Sequence, residues 1–232
     1  MRHLISQPGA CWQPAFGTPD NESTLNEARL STETIGMLSG VLVVISVIPY
    51  ALRTYQGKTK PNITSWSLWT LIGAALLLTY RSSGASDNVW PAIFGFTNPL
   101  LVTGISLWRN GAREKLTKVD WVCLVVSITS LLLWYLTRNQ KEMAQFALYL
   151  AILADSAAAI PTIVYAWSHP KDERPVPWVL FSIGYGVAIF AITEHTFANY
   201  VLPLYMFLGT FIISVPLIRY QLRHKIPLKE WT

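Results

Sequence analysis

The stretch "IPYALRTYQGKTKPNITSW", Ile48–Trp66, closes one apolar run on a proline-bearing turn, crosses a short basic loop and opens a second apolar run. The stretch "IPTIVYAWSHPKDERPVPW", Ile160–Trp178, does the same thing 112 positions later. Without gaps, that offset sets Ile48 on Ile160, Pro49 on Pro161, Trp66 on Trp178, Leu68 on Leu180, Val89 on Val201 and Pro91 on Pro203. Proline and tryptophan carry the weight of the match, because apolar identities between apolar helices are common.

Around these stretches 52% of the 232 residues are hydrophobic and 13% are charged. An ordinary soluble domain has about a quarter charged residues. The apolar residues also fall in long blocks instead of amphipathic or alternating patterns. About 20 apolar residues cross the hydrocarbon core as a helix. Seven runs are candidates: Ile35–Tyr55, Ile63–Tyr80, Val89–Trp108, Trp121–Thr137, Met143–Trp167, Val176–Thr193 and Phe197–Tyr220. Backbone groups in lipid must be satisfied within the segment, so helices are expected, and no ten-residue alternation suggests a barrel. The chain reads as an all-α integral membrane protein with the bilayer as its first partner.

The offset groups the runs as two parallel three-helix repeats joined by a linker helix, a 3+1+3 plan. The expected divisions are a flexible polar tail over residues 1–34, the first repeat over 35–108, a basic loop and linker helix over 109–138, the second repeat over 139–220 and a terminal tail over 221–232. The tail has no seven-residue apolar core of the kind a cleaved signal peptide carries. Lys and Arg mark the cytoplasmic side. With the N-terminus outside, thirteen of the 18 basic residues fall on inner segments, among them Arg53, Lys58, Arg109, Arg113, Lys171, Arg174 and Arg223. The C-terminus is then cytoplasmic, in a cell or inner membrane. The +5 net charge is this orientation signal and implies no nucleic-acid partner.

Seven helices in a 3+1+3 plan, an outside N-terminus and a proline late in helices one and five resemble the PQ-loop superfamily, which includes the SWEET-type sugar facilitators. The resemblance runs from helix one to helix seven. The Pro-Gln pair of that superfamily stands here as Pro49-Tyr50 and Pro161-Thr162, so the glutamine is absent in both halves. Pro177 resembles the proline that opens helix six in the sugar facilitators, and its first-half counterpart is Ser65. Asn98 resembles the pocket asparagine of helix three, while Thr210 stands at the matching place in helix seven. The resemblance implies an alternating-access transporter of a small polar solute, sugars foremost. A receptor or scaffold of the same fold, holding its ligand without passing it, is the alternative.

Several residues are candidates on their own chemistry. Asp155 is the one acidic residue at mid-depth of a run, and such a carboxylate marks a solute site or proton relay, or else a structural hydrogen bond. Asp155, Ala158, Ala159 and Thr162 share a helical face. Asn98 and Thr210 are paired by the offset and suit a polar ligand, or an interhelical hydrogen bond. Trp66 and Trp178 are candidates for a wall of the inner entrance or for interface anchors, the role expected of Trp90, Trp121, Trp167 and Trp231. Pro49, Pro161 and Pro177 are the candidate hinges, since an internal proline removes a backbone bond and loosens the helix. Cys11 and Cys123 suggest neither a disulfide framework nor a metal site. No catalytic motif is found and no cofactor is expected. A homo-oligomer is left open, because both halves lie in one chain.

Overall fold

The computed structural model describes residues 19–58, 61, 63–84, 89–109 and 115–231. The chain divides into two units, Met1–Ser31 and Thr32–Thr232. What is described of the first unit is helical. Helix α1 covers Pro19–Tyr55, so residues 19–34, expected as a flexible tail, are helix. Proline at the first helical position with Asp20 and Glu22 close behind is a sound helix start. Residues 1–18, with Cys11, lie outside the described residues.

The second unit holds the rest of α1 and six further α-helices: α2 (Ile63–Ser82), α3 (Trp90–Trp108), α4 (Lys118–Thr137), α5 (Lys141–Ser168), α6 (Pro175–Phe190) and α7 (Phe197–Arg223). The seven expected helices are present, and five are long and apolar enough to cross a membrane: Ser31–Tyr55, Ile63–Ser82, Lys118–Thr137, Lys141–Ser168 and Phe197–Arg223. Five of the seven expected spans are thus supported by length and composition, while α3 and α6 are helices that fall short on those terms. Helix α6 has 16 residues, or about 24 Å at 1.5 Å per residue, against a hydrocarbon core of about 30 Å. It stops at Phe190, before the polar run "TEHT". Helix α3 has 19 residues but is diluted by Pro91, Thr97, Asn98 and Pro99.

The packing is that of helices in an apolar solvent. Helix α4 buries only Cys123, Ser127 and Ser130, and exposes Val122, Val125, Leu132 and Leu136. That polarity is inverted for water and normal for lipid. Its start is fixed by a capping box in which Asp120 N–H donates to Thr117 Oγ1 at 3.2 Å and Thr117 N–H donates to Asp120 Oδ2 at 2.8 Å. The main core joins Leu68, Ile72 and Leu76 of α2, Cys123 of α4, Leu148 and Ala151 of α5, and Leu202 of α7. Small residues permit close approach: a Cβ on Gly73 would lie 3.0 Å from Phe96 Cα, and one on Gly184 would lie 3.0 Å from Ser39 O.

Among the described residues the closest helix pairs are α2 with α3, α6 with α7, and α4 with α5, while α2 also packs on α4 and α5, and α5 on α7. Lighter contacts join α2 to α7 and α3 to α6. Helix α1 meets α3 through Asn98, whose Nδ2 donates to Val43 O at 2.8 Å.

Two internal prolines of α7 account for two long-range bonds. Pro203 cannot donate to the carbonyl of Asn199, four residues back. Tyr80 of α2 donates its hydroxyl to that carbonyl at 3.2 Å. Pro216 likewise strands the carbonyl of Ile212, and the Trp167 indole of α5 donates to it at 3.2 Å. Each proline thus leaves an acceptor that another helix fills, which ties α7 to α2 at one end and to α5 at the other.

Candidate functional site

A cavity of about 520 Å³ lies between the helices of the second unit. That is within the range of small-molecule sites, about 300–1,000 Å³. Seven of the eight residues singled out from the sequence line it: Asn98, Thr210, Asp155, Trp66, Trp178, Pro49 and Pro177. Pro161 does not; it is exposed on the outer side of α5. Pro49 and Pro161, expected as matching hinges, are thus placed unalike: Pro49 lines the cavity and Pro161 does not. Helical spacing explains it, because Asp155, Ala159 and Thr162 turn inward and Pro161 falls on the opposite side. Ala158, placed on the same face from the sequence, packs into the core.

The lining residues pair across the offset of 112. Val47 and Ala159, Tyr50 and Thr162, Ser65 and Pro177, Trp66 and Trp178, Trp69 and Phe181, Gly73 and Tyr185, and Asn98 and Thr210 all line it. Pairs of unlike size, such as Gly73 with Tyr185, give the cavity unequal walls.

One end is charged. Arg53 at the end of α1, and Asp172, Glu173 and Arg174 in the loop before α6, stand at this mouth. Trp66 and Trp178 are just inside it, and each is held by a neighbour. The Trp66 ring lies 5.1 Å from that of Tyr50. The Trp178 side chain hydrogen-bonds Glu173. Burial pushes the Glu173 carboxyl above its ordinary value, and the bond from Trp178 offsets part of that rise.

The other end is closed. Tyr185 of α6 is 1% exposed and donates its hydroxyl to Pro91 O of α3 at 2.9 Å. Gly95 leaves room for that hydroxyl, since a Cβ there would come within 2.5 Å of it. Leu76, Ala92 and Leu202 complete this end.

Asp155 sits between the two ends. It is buried on α5, and its Oδ2 accepts a hydrogen bond of 2.8 Å from the Tyr205 hydroxyl of α7. Among the described residues it has no ion-pair partner. Asn98 is bonded through Nδ2 to Val43 O, leaving Oδ1 free to accept. The Thr210 hydroxyl donates to Met206 O at 2.7 Å on its own helix, so it offers the cavity an acceptor more readily than a donor.

Sequence reasoning missed Tyr205, Tyr185 and Glu173. For Tyr205 a signal existed: it lies one turn from Leu202 and Gly209, on the α7 face that carries Thr210. Nothing in the sequence placed Tyr185 against Pro91. Among the described residues no group of three His, Cys, Asp or Glu side chains is placed to hold a metal ion. No family model, no curated protein and no solved structure matches the chain.

Proposed function

We propose that the protein is a membrane transporter that carries a small polar solute by alternating access through this one cavity. The observation that carries the reading is the pairing of the lining: seven residue pairs related by a single offset of 112 surround one cavity. A chain whose two halves face a common site can expose it to either side by rocking one half against the other. The helix contacts favour the same 3+1+3 plan. Under the offset α2–α3 corresponds to α6–α7, α2–α7 to α6–α3, and α1–α3 to α5–α7, and each of these pairs is in contact.

In this reading the cavity is caught open at the Arg53 and Arg174 end. By the basic-residue bias that end is cytoplasmic, with the N-terminus outside. Tyr185 on Pro91 and Tyr80 on Asn199 close the outer side. Opening it requires α3 and α6 to part, while Trp66 and Trp178 come together over the inner mouth. Pro49 lines the cavity beside that mouth and supplies a loosened turn in α1. Asp155 is the group that holds the solute or a coupled proton.

Counterflow in liposomes holding the purified full chain tests the proposal. Sugars, amino acids, nucleosides and amines are loaded in turn, with and without a pH gradient. Exchange of one class above protein-free liposomes is the expected result. No exchange by folded protein across the panel would defeat the carrier reading in favour of a receptor that binds without passing its ligand.

A further inference from the structure

We infer that the cavity selects a small organic cation, an amine or quaternary ammonium, and not a neutral sugar. This deepens the carrier reading above and rests on it for the use made of the site. A sugar needs several donors as well as acceptors, because each hydroxyl is both. Four of the deep donors are already engaged within the protein. Asn98 Nδ2 donates to Val43 O, Thr210 Oγ1 to Met206 O, Tyr205 OH to Asp155 Oδ2, and Tyr185 OH to Pro91 O. At the mouth the Trp178 side chain is held by Glu173. A hydroxylated solute would have to break these bonds or leave its own oxygens unpaired, and each group stranded weakens binding.

Apart from the Trp69 indole N–H and the Ser65 and Thr162 hydroxyls, what remains unengaged is electron-rich. Asp155 offers a carboxylate that has no ion-pair partner among the described residues, and its Oδ1 makes no hydrogen bond there. Asn98 offers Oδ1. The same cavity is lined by the rings of Trp66, Trp69, Phe181 and Tyr185, whose faces carry the negative part of the aromatic quadrupole. The Phe181 and Tyr185 rings are 5.1 Å apart and tilted by 45°, so they form a corner. The basic lining residues, Arg53 and Arg174, lie at the mouth and not beside Asp155. A carboxylate with only a tyrosine for company, enclosed by rings, is complementary to a positive charge that brings its own donors or needs none. The unequal pair Asp155 and Val43, related by the offset, places that single charge on one side of the site.

The test is direct binding to the purified full chain in nanodiscs. Methylammonium, choline, tetraethylammonium and benzyltrimethylammonium are titrated, each against its uncharged carbon isostere; for choline this is 3,3-dimethyl-1-butanol. At least one cation is expected to bind saturably, with its isostere weaker by about tenfold or more, a difference of about 1.4 kcal/mol. Asp155→Asn, which keeps an acceptor for Tyr205, is expected to lower cation affinity by about tenfold or more without lowering the unfolding midpoint. Trp69→Leu is expected to weaken it about 2- to 30-fold, the range of one cation–π contact. Binding of none of the four cations, equal binding of an isostere, or unchanged affinity in Asp155→Asn would overturn the inference. The counterflow panel separates this from the carrier reading. Exchange of a neutral solute without cation binding leaves the carrier and removes the cation; cation binding without exchange leaves the site and removes the carrier.

Discussion

The contact between Gly95 and Tyr185 gives a prediction whose size follows from the geometry. Gly95→Ala puts a Cβ 2.5 Å from the Tyr185 hydroxyl, and the next atom, Tyr185 Cζ, is 3.9 Å away. The ring is 1% exposed, so relieving the clash means giving up its seat against Pro91. Overpacking costs about 1–3 kcal/mol, and displacing the hydroxyl from Pro91 O costs about 1 kcal/mol more. The gain from replacing glycine by alanine within a helix offsets about 1 kcal/mol. Gly95→Ala is therefore expected to destabilise by about 2 kcal/mol. Tyr185→Phe alone loses only the hydrogen bond, about 1 kcal/mol. In the double variant the clash is gone, because the remaining contact at 3.9 Å is an ordinary one. The double variant should sit near the parent, so the two changes couple by about 3 kcal/mol, at the upper end for residues in direct contact. Equilibrium unfolding of the full chain in mixed micelles, followed by far-ultraviolet circular dichroism, reads all four corners of the cycle. Additivity within about 0.5 kcal/mol, or a stabilising Gly95→Ala beside Tyr185, would refute the α3–α6 contact that closes the cavity.

Two hydroxyl deletions should differ in the same assay. Ser130→Ala removes a donor to Ala147 O at 2.7 Å and should cost about 0.6 kcal/mol, since that carbonyl keeps its helical partner. Tyr80→Phe should cost more, about 1–3 kcal/mol, because Pro203 cannot take over the Asn199 carbonyl; equal costs would contradict the assignment. Glu173, its carboxyl held above the ordinary 4.5 by burial, binds a proton more readily folded than unfolded. Its contribution to stability is present below that value and is lost as pH rises through the raised one. Glu173→Gln should flatten that part of the unfolding-midpoint-against-pH curve, and an unchanged slope would count against its burial. Cys123 is fully buried, so in a Cys11→Ser chain a maleimide should label it only on unfolding; rapid labelling of folded protein would contradict the α4 packing.

Much of the fold was legible because lipid imposes simple rules. Long apolar blocks separated by basic loops located all seven helices, and lone polar residues such as Asp155 and Asn98 stood out against them. The offset of 112 brought Trp66, Trp178, Asn98 and Thr210 to attention, and all four line one cavity. What the sequence hid was partnership. Tyr205 and Tyr185 look like any aromatic residue in an apolar run, and their roles depend on which helix lies opposite. The same holds for Tyr80 and Trp167: a proline announces a stranded carbonyl, but not the side chain that reaches it. The length of α6 was overestimated because Ala191 and Ile192 are apolar and buried, yet they follow the end of the helix. Pro161 matches Pro49 along the sequence yet faces away from the cavity, because such a match does not fix which way a helix turns.

We propose above that one cavity between the two halves opens at the cytoplasmic face. Thr162→Cys, on the α5 face that lines it, tests this in a chain whose Cys11 and Cys123 are replaced by serine. A membrane-impermeant maleimide is applied to right-side-out and inside-out vesicles at rest. Rapid labelling in inside-out vesicles and slow labelling in right-side-out ones is the expected result. Equal, reversed or absent labelling of folded protein would contradict it.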